Sequence, residues 1–301
     1  MNLSTAAGLT AVLAAGLLVQ AGAQGQTQGQ GQLPSQLPLS LGLRARGSSV
    51  TGAFEGWYHD KDGTVRLLVG YLNRNTGQEF DIPIGPNNHI DPGGPDQGQP
   101  THFQPGRQWG VFTIQVPKDF GDKKLTWTLV ANGFSNTITL HTKPEYVVEP
   151  FEDAASKNTP PVVRFEQTGK TFTGPPSGIA STFAADAGRA LTIDTWITDE
   201  GPKVNGIPAG LGFTPPPPSV KWSLFRGPGP ASGAPLVTFD PVSPKIDKDS
   251  GKASTMATLA VPGEYILRVQ ANDSTGEGGS GFQCCWTNVH VRVTVKPQAS
   301  Q

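Results

Sequence analysis

The chain has 301 residues, of which 38 are glycine and 28 are proline, and only 16% are charged. This composition is typical of a loop-rich all-β protein. The formal net charge is −1, and lysine and arginine form no cluster. The sequence therefore argues against nucleic acid or an anionic membrane surface as a partner.

The N-terminal segment has the pattern of an export signal. Residues 6–19 are small and apolar, and Ala21-Gly22-Ala23 fits the cleavage rule, so residues 1–23 are predicted to be a signal peptide. The absence of lysine and arginine before the apolar run departs from that pattern. No later run approaches the ~20 apolar residues of a membrane span. We expect an exported protein, periplasmic or extracellular, whose mature chain has no membrane span.

Residues 24–50 and the region after them differ sharply in pattern. The first stretch is rich in glutamine, glycine and proline and is predicted to be a flexible tether. Residues 51–144 then contain short strand-like runs, with hairpin signals at Asp62-Gly63 and Asn132-Gly133. This region is predicted to be a first β-sandwich, interrupted by a proline-rich loop at residues 85–106.

The remaining chain predicts a linker and a second sandwich. Residues 145–161 are acidic, small and proline-rich, which is typical of a linker. Residues 162–297 end in two alternating runs, in which Tyr265 and Leu267 share one strand face and Val291 and Val293 another. Residues 298–301 form a tail. The predicted fold class is all-β, with two immunoglobulin-like β-sandwich domains in tandem after the signal peptide and tether.

The second sandwich resembles a known family. Trp222, the turn Gly227-Pro228-Gly229, the turn Pro262-Gly263-Glu264-Tyr265 and the strand end Ala271-Asn272-Asp273 are similar to PKD-like and related immunoglobulin-like modules of bacterial exported proteins. The resemblance spans roughly residues 160–297, apart from two long inserts. It implies a β-sandwich used for spacing, cell-surface contact or polymer binding, and it carries no catalytic residues over.

Two adjacent cysteines, Cys284 and Cys285, are the chain's only ones. Thiols of exported proteins tend to be oxidised. Three states are compatible with the sequence: a vicinal disulfide, two free thiols, or disulfides to another molecule. A zinc site is not favoured, because no third cysteine and no nearby metal ligand accompanies the pair. Because successive side chains of a strand alternate, one cysteine is expected in the core and the other at the surface.

Acidic residues at strand ends suggest calcium as the one candidate cofactor. Calcium is bound by six to eight hard oxygens, which loops at one end of a sandwich can supply. The alternative is that these acids are solvated turn formers. The candidate calcium ligands are Asp199, Glu200 and Asp273.

Aromatic residues and histidines of the first domain are candidates for ligand binding. Aromatic rings stack on sugars when exposed and join the core when buried. Long ordered loops often carry function, and the proline-rich loop carries histidines and an acid. The candidate ligand-binding residues are Trp57, Tyr58, His89, Asp91, His102 and Trp109.

The leading hypothesis is a non-enzymatic, exported binding or spacer protein. No nucleophile elbow or phosphate-binding glycine loop is present, so no catalytic residue is assigned. The expected partner is a cell-envelope protein or polysaccharide. One alternative is an accessory carbohydrate-binding protein. Another is an enzyme with a site on the first-domain loop, which requires that His89, Asp91 and His102 converge.

Overall fold

The computed structural model describes residues 44–154, 157–200, 217–229, 235–275 and 284–298. The predicted signal peptide and most of the predicted tether lie outside the described residues. The described residues form strands and one short 3₁₀ helix, which confirms the all-β prediction. None of the described helices is long and apolar enough to cross a bilayer.

The N-terminal half, residues 44–148, builds two small sheets around one core. One sheet has the order β1-β2-β6 and the other β4-β7-β8, while β3 and β5 pair separately. The core between them includes Leu67, Phe112 and Trp127. The strands are β1 (Val50–His59), β2 (Val65–Asn73), β3 (Phe80–Asp81), β4 (Asn88–Asp91), β5 (His102–Phe103), β6 (Gly106–Val116), β7 (Leu125–Ala131) and β8 (Phe134–Leu140).

Both predicted hairpins of this half are present. Asp62-Gly63 lies between β1 and β2, and Asn132-Gly133 joins β7 to β8. Asn132 and Gly133 have φ values of 49° and 78°, as a type I′ turn requires at its two central residues. Order begins before residue 51, because the backbone N–H of Ser48 donates to Asn75 and that of Thr76 to Arg44.

The C-terminal half, residues 162–298, is an immunoglobulin-like sandwich. One sheet has the order β10-β16-β15-β12 and the other β13-β14-β11-β9. In chain order, β9, β11, β13 and β14 share one sheet while β12, β15 and β16 share the other, which is the A, B, D, E and C, F, G division of immunoglobulin domains. The strands are β9 (Val162–Arg164), β10 (Ile179–Asp186), β11 (Ala190–Thr198), β12 (Ser219–Arg226), β13 (Val237–Asp240), β14 (Lys252–Leu259), β15 (Gly263–Asn272) and β16 (Trp286–Lys296).

Alternation along β15 and β16 places the core as the sequence predicts. Trp222, Tyr265, Leu267, Val291 and Val293 are all fully buried in one cluster. The hydroxyl of Tyr265 donates to the carbonyl of Val261 at 2.8 Å, the corner arrangement typical of immunoglobulin-like folds. All described residues of both halves belong to one compact unit. The division into two domains, with its boundaries, therefore stays a prediction.

Candidate functional site

The segment between the halves is held against both of them. The backbone N–H of Val148 donates to the carbonyl of Trp57 in β1 at 2.9 Å. Further on, the side-chain amide of Asn158 donates to the carboxylate of Asp273, and both residues are buried. The described part of this segment is thus ordered structure rather than a free tether. We call the contact region that it helps to form the joint. It comprises Tyr58 and Leu68, residues 107–110 of β6, residues 268–272 of β15 and residues 284–290, which lead into β16 and form its first part.

Trp286 of β16 fills the apolar part of the joint. Its ring is 1% exposed and belongs to a cluster with Tyr58 and Leu68 of the N-terminal half. It lies directly on the backbone of Gly110, where an added Cβ would come within 1.8 Å of the indole ring. Glycine at this position therefore permits the close approach of β6 to β16.

A buried arginine connects the polar part of the joint. Arg268 is 3% exposed, and its guanidinium donates to Asn288 at 2.8 Å, Gln108 at 2.9 Å and the carbonyl of Trp109 at 3.2 Å. The amide of Asn288 in turn donates to the carbonyls of Trp109 and Gly110, both at 3.0 Å. Buried polar groups of this kind cost free energy unless they are satisfied, so the network favours one specific docking of the halves.

A buried carboxylate supports the same glycine from the other side. Glu55 of β1 accepts a hydrogen bond from the backbone N–H of Gly110 at 2.8 Å and an ion pair from Arg107 at 2.6 Å. Burial raises the pKa of Glu55, and the charge of Arg107 opposes that rise. The guanidinium of Arg107 also lies 4.0 Å over the ring of Trp109.

Two clefts open beside the joint, and residues 176–179 line both of them. The larger, of about 390 Å³, lies between β6 and the strands β12 and β16, with His290 among its lining residues. The smaller, of about 160 Å³, is lined by Lys61 and Lys170 and by threonine hydroxyls. We call them the His290 cleft and the lysine cleft.

The aromatic residues of the predicted binding site are buried or half-buried rather than exposed on the surface. Tyr58 is 1% exposed and packs in the joint. Trp57 is half-buried, and its indole N–H donates to the carbonyl of Lys143 at 2.7 Å. Trp109 is half-buried beneath Arg107. This placement weakens the case for sugar stacking on these rings.

The two histidines of the proline-rich loop, His89 and His102, contact different acidic residues. His89 and Asp91 lie two residues apart on β4, with Nε2 of the ring 3.4 Å from the carboxylate. His102 instead contacts Asp81 at 2.9 Å and Glu79 at 3.4 Å. The described contacts do not join His102 to His89 or Asp91, so the geometry that the enzyme hypothesis requires is not seen among them.

His102 is charged in the folded protein. Burial lowers its pKa, but the hydrogen bonds to Asp81 and Glu79 outweigh that effect and raise the pKa to about 9. Stability from these contacts is fully present below the unfolded pKa of ~6.5 and is lost as pH rises through the folded value. We expect the free energy of unfolding to fall by roughly 2–4 kcal/mol over this window, from ~1.4 kcal/mol per pKa unit.

Urea denaturation at pH 6 and pH 9.5 measures this loss. His102→Asn should remove most of the fall, because no imidazole remains to titrate. His59→Asn, at an exposed position, is the control and should keep it. An equal fall in the His102 variant would contradict the assignment.

Cys284 and Cys285 form a disulfide in the structure. Both are buried, at 5% and 2% exposure, so the expectation that one side chain lies at the surface is wrong. The pair lies at the start of β16, beside the carbonyl of Asn158 and immediately before Trp286. Its place is therefore at the edge of the joint, where it offers no exposed surface to a ligand.

The candidate calcium ligands are not grouped in the described structure. The carboxylate of Asp273 accepts from Asn158 and from the backbone N–H of Thr275, the latter at 2.9 Å. Asp199 lines a separate cleft with Asp247 and Asp249, and Glu200 is exposed. Within the described ranges, no three histidine, cysteine or acidic side chains are placed to hold a metal ion. The calcium site stays a prediction.

The joint is the part of the site that the sequence reasoning missed. Its contacts join β6 to β15 and β16 across long stretches of chain. Arg268 and Gln108 are 160 residues apart, and Asn288 and Gly110 are 178 residues apart. The available signal was glycine within strand-like runs, because Gly70 and Gly110 interrupt β2 and β6 where another group approaches closely.

No protein-family model and no curated protein matches the chain. Among solved structures, the titin M3 domain is 15% identical, covering 45% of this chain and 97% of its own, with a TM-score of 0.22. Domains 4 and 5 of the S-layer protein SbsC are 12% identical, covering 82% and 98%, with a TM-score of 0.20. The D00-D0 domain of intimin is 14% identical, covering 82% and 100%, with a TM-score of 0.23. At these TM-scores the solved structures do not establish a relationship, and the immunoglobulin-like assignment rests on the strand order of this chain.

Proposed function

We propose that this protein is an exported, non-enzymatic binding or spacer protein that acts at or outside the cell envelope. The joint is the observation that carries the proposal. Two sandwiches tethered by a free linker would move independently, whereas a buried arginine network and a buried tryptophan connect the N-terminal and C-terminal halves of this chain. A two-module body held at one angle can keep a fixed distance between the partners at its ends.

Further features support export. The N-terminal pattern predicts a signal peptide, and a disulfide is typical of an oxidising compartment. We also propose that the C-terminal half is a PKD-like module. The proposed partner is a cell-envelope protein or polysaccharide. Localisation is proposed as periplasmic or extracellular.

The experiment measures the distance between the halves in the exported protein. Nitroxide labels are attached at Lys123→Cys and Lys248→Cys, two exposed positions in different halves. The native cysteines form a disulfide and do not take up the label. Pulsed electron paramagnetic resonance should give one narrow distance distribution, because the joint fixes the angle between the halves.

A broad distribution in the unmodified joint would overturn the spacer proposal. Retention of the uncleaved chain in the cytoplasm of a secreting bacterial host would overturn export. A label pair within the C-terminal half, Lys221→Cys with Lys248→Cys, is the control for label mobility.

A further inference from the structure

The His290 cleft contains a buried polar atom that the fold leaves unsatisfied. His290 is 7% exposed, and its Nε2 has no hydrogen-bond partner among the described residues. Its ring packs on Phe225 with the centroids 4.1 Å apart. Buried side-chain nitrogens usually have a partner. Of the six buried polar side-chain atoms without one among the described residues, Nε2 of His290 is the one whose residue lines either of the two clefts, which points to a bound group.

The missing partner must be a hydrogen-bond donor. Burial, with the nearby charge of Arg268 as a further cause, lowers the pKa of His290 to about 3, and a hydrogen bond with the Val111 backbone opposes this. The ring is therefore neutral, and its single N–H is on the nitrogen that contacts Val111. Nε2 then carries an unsatisfied lone pair. Because this atom is itself buried, a ligand hydroxyl reaches it after a small movement of the ring or of the cleft lining.

The charge around the two clefts favours an anion. Their lining residues include four cations, Lys61, Arg66, Lys170 and Arg226, but only one acid, Asp60, in a chain whose net charge is −1. Arg66 pairs with Asp60, and Arg226 with Asp96.

The two lysines have no carboxylate partner among the described contacts. Lys61 donates to the hydroxyl of Thr173 at 2.9 Å, and Lys170 lies over the ring of Phe172. Their positive charge is available to a ligand in the lysine cleft.

Hydroxyl and amide groups complete the surroundings. Thr171, Thr173 and Ser177 line the lysine cleft, and Gln115 lines the His290 cleft together with apolar Ile266. Concave sites of a few hundred Å³ with a few convergent polar groups typically bind small ligands. Hydroxyls, an apolar patch and unpaired lysines together match a sugar that carries a carboxylate.

We propose that an acidic saccharide binds across residues 176–179, which line both clefts, with a sugar hydroxyl donating to Nε2 of His290 and the carboxylate near Lys61 and Lys170. This inference rests on the proposed binding function and names its ligand class. Because both halves line the clefts, the bound saccharide would contact both sides of the joint.

The test is isothermal titration of the full disulfide-bonded chain with digalacturonic acid, using galactobiose as the neutral match. We expect binding of the acid to be at least ~10-fold tighter, since charge-assisted hydrogen bonds are about twice as strong as neutral ones. Lys170→Gln, at an exposed position, should weaken it by about 5-fold or more. Lys118→Gln, exposed and outside both clefts, is the matched control.

His290→Phe keeps an aromatic ring and removes Nε2, so the affinity should fall about 10-fold. The Lys170 variant keeps the test decisive if the His290 variant does not fold. No binding of the acid at millimolar concentration, equal binding of galactobiose, or unchanged affinity in Lys170→Gln would overturn the inference. A narrow distance distribution between the halves together with no binding would overturn this inference alone and leave the spacer proposal standing.

Discussion

Gly110→Ala should destabilise the protein by about 3–5 kcal/mol, which combines overpacking with left-handed backbone strain. The added methyl group would lie 1.8 Å from the indole of Trp286, and Gly110 has a φ of +51°. Either the ring or the strand must move, and both belong to the joint. Urea denaturation followed by circular dichroism measures the loss, and the distance distribution between the halves should broaden.

Gly133→Ala is the matched control. Gly133 also has a positive φ, of +78°, but nothing lies within 4 Å of the added Cβ. Only the strain of ~1–2 kcal/mol remains. If the two glycine variants lost the same stability, contact between Gly110 and Trp286 would not be the cause.

Trp286→Ala provides a second check on the same contact. Alone it should cost ~3–5 kcal/mol, because a large buried ring is removed. In its background Gly110→Ala should cost little more than the backbone strain, since the clash has gone. Additive losses in this double-mutant cycle would show that the two positions do not touch.

Arg107→Met should cost about 3–5 kcal/mol at pH 7, as is typical when a buried ion pair loses one partner. Glu55 would remain with only the Gly110 N–H as its described hydrogen-bond donor, and its side chain is 3% exposed. Arg74→Met is the control, because Arg74 is half-buried but bonds the neutral hydroxyl of Thr51 at 2.6 Å. It should cost no more than ~1.5 kcal/mol.

The pH dependence of the Arg107 variant separates charge from packing. Burial raises the pKa of Glu55, so the folded state binds its proton more readily than the unfolded state does. Stability then falls as pH rises above the unfolded pKa of ~4.3. Without Arg107 the pKa of Glu55 rises further and the fall extends over a wider pH range. The loss measured at pH 4.5 should therefore be clearly smaller than at pH 7. A loss that does not change with pH would assign the effect to packing alone.

The strands were predictable because the alternation of apolar and polar residues is visible within each strand. Alternation in β7, β15 and β16 identifies the buried faces, and Asn132-Gly133 determines its turn through two positive φ values. Tyr265 could be placed at a sandwich corner because its partner, Val261, is only four residues away. Such signals extend over a few residues and need no knowledge of the rest of the chain.

The joint was not predictable in this way. Arg268 and Gln108 are 160 residues apart, and in the sequence Arg268 reads as an ordinary outward-facing residue of an alternating strand. It is buried because the other half covers that face. The same covering turned Tyr58 from a candidate contact residue into core, and it left His290 buried beside a cleft. Both faces of these strands are buried because the N-terminal half packs on the outer face of the sheet. The sequence of a single strand contains no sign of this contact.

The pairing of β10 with β16 has a mechanical consequence. These strands run parallel, from Ile179 beside His290 to Asp186 beside Lys296. Tension that enters β10 at its N-terminal end and leaves β16 at its C-terminal end pulls the two strands in opposite directions along their axes. Their hydrogen bonds are then loaded together in shear rather than opened one after another. Resistance to pulling therefore depends on the direction of the force, because a force across the two strands would open the same hydrogen bonds one at a time.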